Sequence, residues 1–164
     1  MNSDNLSDYM SPEGVETLKS LEGFSSVPYA DGKNGQSEGY GVRKDLHPEL
    51  ATKTGEFLTK EEATKQMGKA IVKIAKLFIA KIGRTVWDAM NQGQRDATLM
   101  CAYNMGAQGA FDSFGRCLIE RDWEGAEKRI RISRTTGHHN GKVVDLSRRR
   151  QQEADLFRKA TLEQ

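Results

Sequence analysis

The chain has 164 residues, of which 37% are hydrophobic and 29% charged, a composition typical of a globular domain. No window approaches the roughly 18 apolar residues of a membrane span, and the polar N-terminus lacks the features of a signal peptide. The net charge is +2, but residues 1–60 contain 6 basic and 10 acidic residues, whereas residues 61–164 contain 19 and 13. This asymmetry favours an anionic polymer as partner: nucleic acid, cell-wall polymer or membrane surface.

The first predicted element is a short helix. Ser11 followed by Pro12 predicts its start, because serine caps the first turn and proline fits into it. Apolar residues at helical spacing follow, and Gly23 is expected to end the helix. Glu22 is therefore predicted to lie in the last turn.

A small antiparallel hairpin is predicted next, over residues 24–42, with its turn at Asn34-Gly35. Asp31 would end the first strand, and Ser37 would lie nearly opposite on the second. Directly opposite residues have Cβ atoms about 4.5–5.5 Å apart. A carboxylate and a hydroxyl are therefore expected to share one space, faced by Glu22 from the helix end.

A long helix is predicted to begin at the capping box of Thr59 and Glu62 and to extend to Ile82. Further helices are expected near residues 85–90, 93–105, 112–120, 123–133 and 145–159. These elements predict a mostly helical α+β domain with its active site in a cleft between two lobes. The expected divisions are an N-terminal lobe with the hairpin (1–58), a connecting helix (59–82) and an all-helical lobe (83–164).

Two carboxylates beside a hydroxyl suit the hydrolysis of a glycosidic bond. One carboxylic acid protonates the leaving oxygen, and the other carboxylate activates a water or attacks the sugar directly. Partial burial would keep Glu22 protonated by raising its pKa. From the residues alone, a pair of solvated surface charges remains the alternative.

The spacing Glu22, eight residues, Asp31, five residues, Ser37 resembles the signature of the bacteriophage-type lysozymes, glycoside hydrolase family 24. Segments 91–111 and 146–157 resemble the family's cleft-lining helix and C-terminal helix, so the resemblance extends from about residue 11 to 158. Serine stands in place of the usual threonine. Two further departures are Val42, where the family usually has histidine, and Glu38, which adds a third carboxylate near the site.

The resemblance implies Glu22 as general acid, Asp31 as general base or charge stabiliser, and Ser37 as the residue that holds the water. It also places Asn104 in the cleft, where its amide can donate to and accept from an N-acetyl sugar. Arg149 resembles the basic neighbour of the catalytic glutamate, with the register of the arginine run at 148–150 open by one residue.

Tyr103 and Met105 flank Asn104 and are also candidate substrate-binding residues. The alternative for both is a structural role at the end of a helix closed by Gly106. His138-His139-Asn140 is expected to be a polar loop, because adjacent loop histidines give poor common geometry for a metal. No metal and no cofactor are expected.

The function implied is that of a muramidase, inverting in mechanism, which cleaves the β-1,4 bond between N-acetylmuramic acid and N-acetylglucosamine. The expected partner is peptidoglycan, with no nucleic acid, no membrane span and a monomeric state. The protein would be made in the host cytoplasm and reach the periplasmic wall through a separate pore during phage lysis. Carriage on the virion, serving entry into the host, is the alternative location.

Two other functions remain open. A lytic transglycosylase needs only one catalytic carboxylate, so Asp31 and Ser37 argue against it. A catalytically inactive wall-binding domain of a virion would not need the spacing of the three residues. The sugar ends released from peptidoglycan distinguish these possibilities: reducing muramic-acid ends, anhydro ends or none.

Overall fold

The computed structural model describes residues 3–32, 34–53 and 56–164. The α-helices are α1 (Pro12–Glu22), α2 (Lys60–Ile82), α3 (Arg84–Ala89), α4 (Gln92–Ala110), α5 (Arg116–Ile119), α6 (Trp123–Ile132) and α7 (Ser147–Leu162), with a 3-10 turn at Leu6–Asp8 and a π-helical turn at Phe111–Gly115. One antiparallel sheet contains β1 (Ser25–Asp31), β2 (Gly35–Gly39) and β3 (Val42–Arg43); a second contains β4 (Thr136–His139) and β5 (Lys142–Asp145).

Helix α1 has the bounds that its sequence predicts. The side chain of Ser11 accepts a 3.0 Å hydrogen bond from the amide of Gly14, and Gly23 ends the helix with φ of 69°. The Ser11 hydroxyl also donates to Asp96 of α4, which fixes α1 against the helical core. Glu22 is consequently held at the end of a well-anchored element.

Helix α2 begins at the predicted capping box, in which Thr59 and Glu62 exchange two hydrogen bonds of 3.1 Å. Its apolar stripe, including Met67, Ile71 and Phe78, is almost completely buried. Helix α4 packs against both α2 and α7, and regular helical geometry breaks at Gly106. The mostly helical α+β class is confirmed, and no helix among the described residues is both long and apolar enough to cross a bilayer.

The register of the β1–β2 hairpin differs from the sequence-based expectation in two ways. Gly35 already pairs with Asp31 and belongs to β2, so the turn is not at Asn34-Gly35. Ser37 pairs with Tyr29 and not with Asp31. Asp31 and Ser37 are diagonal neighbours on one face of the hairpin, a relationship that still permits side-chain contact.

The segment expected to be a polar loop at residues 138–140 is part of the second hairpin, so the prediction of an all-helical C-terminal region was wrong in this detail. Asn140 and Gly141 form its two-residue turn, with φ of 52° and 77°. Both values are positive, as a type I′ turn requires, and Asn-Gly is the dipeptide that best tolerates them. The strands are short and polar, and therefore carry little hydrophobic alternation.

Candidate active site

A cleft of about 910 Å³ runs between the β1–β3 sheet and helices α4 and α7. The predicted site residues that line it are Glu22, Asp31, Tyr103, Asn104, Met105 and Arg149. They come from three regions that are far apart in the sequence: the end of α1 with β1, the middle of α4, and the start of α7. The fold therefore brings together the residues that the sequence singled out.

Glu22 projects from the last turn of α1, and its side chain is only 10% exposed. A Cβ atom placed on Gly41 would lie 3.0 Å from the Glu22 carboxylate, and Gly41 has φ of 76°. Only glycine combines that backbone conformation with so close an approach. The chain after β2 therefore leaves space for the buried carboxylate.

Burial raises the pKa of Glu22 above its ordinary value, although the charge of Arg149 and its hydrogen bond act in the opposite direction. The negative charges of Asp31 and Glu153 add smaller upward contributions. Arg149 is shared with Glu153, so a single guanidinium does not replace the hydration that the Glu22 carboxylate has lost. This environment favours the protonated form of Glu22.

The sequence left open which arginine of the 148–150 run lies next to Glu22. In the structure it is Arg149 that contacts Glu22. Its Nη1 donates to both carboxylate oxygens of Glu22 at 3.1 and 3.2 Å. Its Nε donates to Glu153 at 3.1 Å, and its Nη2 donates to the carbonyl of Met100 at 3.1 Å. Burial opposes the charge of Arg149, but the two carboxylates outweigh it and raise the pKa of the guanidinium.

Ser37 is fully buried, and its hydroxyl donates a 2.6 Å hydrogen bond to Oδ2 of Asp31. Within the described part of the chain, Oδ1 of Asp31 receives no hydrogen bond. Asp31 therefore has one oxygen that is held in place and one that is available at the cleft. The observed contact of Ser37 is with the carboxylate rather than with solvent.

A hydrogen bond from Arg150 determines the orientation of the side-chain amide of Asn104. Nη2 of Arg150 donates to Oδ1 of Asn104, and arginine can only donate, so the oxygen must face it. Arg150 is itself fully buried and bonded to Glu153 and to the carbonyl of Ser133. The amide nitrogen of Asn104 is left without a protein acceptor among the described residues.

Tyr103 and Met105 line the cleft but also have structural contacts. The hydroxyl of Tyr103 donates to the carbonyl of Tyr40 at 2.7 Å, and burial raises the pKa of this phenol well above its ordinary value. The sulfur of Met105 accepts from the Ser113 hydroxyl at 3.7 Å. Tyr103 thus joins α4 to the chain beside Gly41.

Glu38 does not lie in the cleft, contrary to the expectation of a third carboxylate near the site. Its buried carboxylate accepts from the amide and hydroxyl of Thr52 at 2.9 and 2.5 Å and from Gln66 at 2.8 Å, with Lys44 at 3.8 Å. Side chains alternate across a strand, so Glu38 points away from the face that carries Ser37. It connects β2 to α2 and to the loop at residue 52.

Arg43 and Tyr29 are among the cleft residues that sequence reasoning missed. The guanidinium of Arg43 donates two hydrogen bonds of 2.8 and 2.7 Å to Asp45. It occupies the space that a side chain at position 35 would fill, since a Cβ on Gly35 would lie 2.2 Å from the Arg43 guanidinium. Tyr29 also lines the cleft, and burial, with the charges of Glu22 and Asp31, raises its pKa to about 12. The available signal for Arg43 in the sequence was Gly35, because the side chain missing there leaves space for the guanidinium.

The tip of the β4–β5 hairpin contacts the strand that carries Asp31. The amide of Asn140 donates to the carbonyl of Ala30 at 2.8 Å, and the rings of His139 and Tyr29 lie 4.7 Å apart between centroids. The histidines are thus at the cleft rim. Across residues 3–32, 34–53 and 56–164, no three His, Cys, Asp or Glu side chains are grouped as metal ligands.

Comparisons with solved structures show the same fold. The muramidase domain of SpmX from Asticcacaulis excentricus is 24% identical with a TM-score of 0.71, and the match covers 90% of this chain and 96% of that one. The endolysin from Escherichia coli O157:H7 phage FAHEc1 is 24% identical with a TM-score of 0.67, over 90% and 92% of the two chains. A point mutant of P22 lysozyme is 21% identical with a TM-score of 0.68, over 90% and 97%.

A search of curated protein sequences gives no match. The family described as Phage lysozyme matches residues 19–153, which include Glu22, Asp31, Ser37 and Arg149. The match therefore extends over most of the chain and contains both walls of the cleft. This protein belongs to the phage lysozyme family.

Proposed function

We propose that this protein is a muramidase that hydrolyses the β-1,4 bond between N-acetylmuramic acid and N-acetylglucosamine in peptidoglycan. Membership of the phage lysozyme family supports peptidoglycan as the substrate. The observation that carries the proposal is the presence in one cleft of two carboxyl groups whose surroundings differ. Glu22 is buried with a raised pKa, whereas Asp31 accepts a hydrogen bond from Ser37 and has a second oxygen available.

Glu22 is assigned the role of general acid. Its raised pKa supports the protonated state in which it can deliver a proton to the leaving glycosidic oxygen. Arg149 holds the carboxyl group by its hydrogen bonds to both oxygens. After proton transfer, the same guanidinium faces the new carboxylate and stabilises its charge.

Asp31 is assigned the role of general base, with Ser37 as the residue that positions it. The Ser37 hydroxyl holds Oδ2, and the available Oδ1 accepts a proton from the attacking water as the water forms a bond to the anomeric carbon. The bond to the leaving oxygen breaks while Glu22 protonates that oxygen, so protons balance over the step. Attack by water from the side opposite the leaving group inverts the configuration.

Asn104 is assigned to substrate binding as a hydrogen-bond donor. Because Arg150 occupies its oxygen, the amide nitrogen is the atom available to the cleft. This polarity suits the carbonyl oxygen of an N-acetyl group, which accepts only. Tyr103 and Met105 form the neighbouring wall, where they contribute surface for the sugar.

The biological setting proposed is phage lysis of a bacterial host, or entry into it. The protein would act on the wall either after release through a separate pore or as part of a virion. A division into an N-terminal lobe (1–58), a connecting helix (59–82) and a C-terminal lobe (83–164) agrees with the position of the cleft. A monomer suffices for this chemistry, because all the assigned residues lie in one chain.

Replacing Glu22 with glutamine tests the assignment. The amide keeps the shape but delivers no proton, so we expect wall lysis to fall by about 10²–10⁴-fold while circular dichroism shows an intact fold. Glu16→Gln on the exposed face of the same helix is the matched control and should retain parental activity. Lysis by Glu22→Gln within a few-fold of the parent would show that another group is the acid.

A further inference from the structure

The β4–β5 hairpin reaches across the cleft beside Glu22. Two openings lead to this carboxyl group: the main cleft and a smaller one lined by Glu22, residues 23–25, Tyr29, His139 and Asn140. Tyr29 and His139 border both openings. The contacts between the hairpin tip and β1 therefore lie where the two openings meet.

The hairpin is anchored at its base and lightly held at its tip. At the base, the amide of Leu146 donates to the carbonyl of Thr135 at 2.6 Å, and the Leu146 side chain lies over Gly137. Between base and tip most residues are exposed, including Val143 at 68%. One backbone hydrogen bond and one ring pair join the tip to β1 in the described part of the chain.

The internal geometry of the hairpin makes it a unit that can move as a whole. Four register pairs join its strands, from Thr136–Asp145 to His139–Lys142, and the Asn140-Gly141 turn has the positive φ values that match the twist of the strands. Arg134, which precedes the hairpin, has φ of 44°, an uncommon conformation for a residue other than glycine. Separation from β1 therefore requires loss of the tip contacts without loss of the hairpin.

A general acid in glycoside hydrolysis protonates the oxygen that joins two sugars, so sugar must lie on both sides of it. If Glu22 is that acid, a glycan occupies both openings at once. We propose that the β4–β5 hairpin is a strap that must part from β1 to admit the glycan beside Glu22. This proposal rests on the proposed function, and it makes the contact of His139 and Asn140 with β1 a determinant of substrate entry.

Fixing the strap to β1 tests the proposal. In the double variant Ala30→Cys/Asn140→Cys, the two positions joined by the backbone hydrogen bond become a disulfide on oxidation. We expect oxidation to lower wall hydrolysis, and also the affinity for an N-acetylglucosamine tetramer, by at least about tenfold, with recovery on addition of dithiothreitol. Unchanged hydrolysis and affinity in the cross-linked form, with cross-linking verified by mass spectrometry, would overturn the proposal.

Two controls separate the strap from cysteine chemistry. The single variants Ala30→Cys and Asn140→Cys should respond to neither oxidation nor reduction. His138→Cys/Val143→Cys joins two exposed register partners within the hairpin and should be equally active oxidised or reduced, because this bond does not reach β1. Loss of hydrolysis in the oxidised form of this control would mean that flexing inside the hairpin, and not its separation from β1, admits the substrate.

A shortened hairpin gives an independent test should the disulfide fail to form. Replacing residues 138–143 with Asn-Gly keeps the Gly137–Val144 pair and a matching turn, but the tip no longer reaches β1. We expect kcat at least equal to that of the parent and a higher KM, since entry is unobstructed and retention is weaker. A tenfold loss of kcat in the folded variant would show that the tip belongs to the catalytic apparatus, which contradicts a strap.

Failure of the proposed function is distinguishable from failure of the strap. If the parent binds the N-acetylglucosamine tetramer but hydrolyses no wall, the proposed function is wrong, and the affinity of the cross-linked form still decides the strap. If the parent hydrolyses walls and the cross-linked form does so equally well, only the strap is wrong. A parent that neither binds nor hydrolyses contradicts both.

Discussion

The Ser37 hydroxyl donates a 2.6 Å hydrogen bond to Oδ2 of Asp31, although the two residues are diagonal and not paired in the sheet. Asp31 is opposite Gly35, which has no side chain, so its carboxylate can lean along the strand towards Ser37. The guanidinium of Arg43 occupies the space that a side chain at position 35 would fill. The Ser37 hydroxyl and the lack of a side chain at Gly35 thus set the position of the assigned base.

Ser37→Ala should lower kcat far more than it raises KM, because it frees the Asp31 carboxylate without removing a contact to the sugar. Ser37→Thr keeps the hydroxyl and should retain most of the turnover. Steady-state kinetics on purified peptidoglycan fragments would measure the difference. Turnover in Ser37→Ala close to that of the parent would refute the positioning role.

Arg149→Gln should shift the alkaline limb of the pH–activity profile to higher pH. The charge of Arg149 lowers the pKa of Glu22, so its removal raises that pKa and keeps the acid protonated over a wider range. Loss of the buried partner should also reduce the free energy of unfolding by about 3–5 kcal/mol. The exposed neighbouring variant Arg148→Gln is the control, and an unmoved limb in a folded Arg149→Gln protein would contradict the assignment.

Asn104→Asp distinguishes substrate binding from a purely structural role. Aspartate still accepts from Arg150 but loses the amide donor, so affinity for N-acetylglucosamine oligomers should fall about tenfold, as expected when one hydrogen bond of about 1.4 kcal/mol is lost. Asn104→Ala should bind equally weakly. If titration calorimetry finds that Asn104→Asp binds like the parent, Asn104 serves only as a partner for Arg150.

Glu38→Gln should destabilise the fold by about 1–3 kcal/mol near neutral pH, through loss of hydrogen bonds to a charged acceptor. Burial alone would raise the pKa of Glu38, but the hydrogen bonds from Thr52 and Gln66 and the charge of Lys44 lower it overall. The carboxylate therefore stabilises the fold above the unfolded-state pKa of glutamate, and this contribution is lost as pH falls through the lower folded-state pKa.

Urea unfolding of the parent and Glu38→Gln at a series of pH values would measure this dependence. The difference in unfolding free energy should shrink steadily in acid. Glu163→Gln, at an exposed position near the C-terminus, should leave the free energy of unfolding unchanged at every pH. A Glu38→Gln difference that stays constant into acid would show that charge is not the source of the stabilisation.

The sequence carried enough information to predict the caps of α1 and α2, because Ser11, Thr59 and Glu62 act through local hydrogen bonds. It also predicted that Glu22 and Asp31 line one cleft, since their spacing confines them to a single short stretch, whereas Tyr29 and Arg43 of the same cleft were not predicted. The pairing of Ser37 with Tyr29 was missed because Gly35 already belongs to β2 and lies opposite Asp31, so the strands do not turn at Asn34-Gly35 as the dipeptide suggested.

The second hairpin was missed for a different reason. Its strands contain no buried alternation, so their stability comes from the Asn140-Gly141 turn and from contacts at the base of the hairpin such as the hydrogen bond between Leu146 and Thr135. The direction of Glu38 follows from its place next to Ser37 in a strand, but its partners Thr52 and Gln66 are residues that local sequence does not connect to it. Arg149 could be placed to within one position, and the packing of α7 determined which arginine faces Glu22.

Mass spectrometry of fragments released from purified peptidoglycan in heavy-oxygen water tests the central claim most directly. Hydrolysis at the assigned bond predicts reducing N-acetylmuramic acid ends, each carrying one heavy oxygen from the water activated by Asp31. Proton NMR of the first-formed product should show the α anomer, as expected for inversion of a β-linked substrate. Unlabelled anhydro ends, or labelled ends on N-acetylglucosamine, would contradict the account.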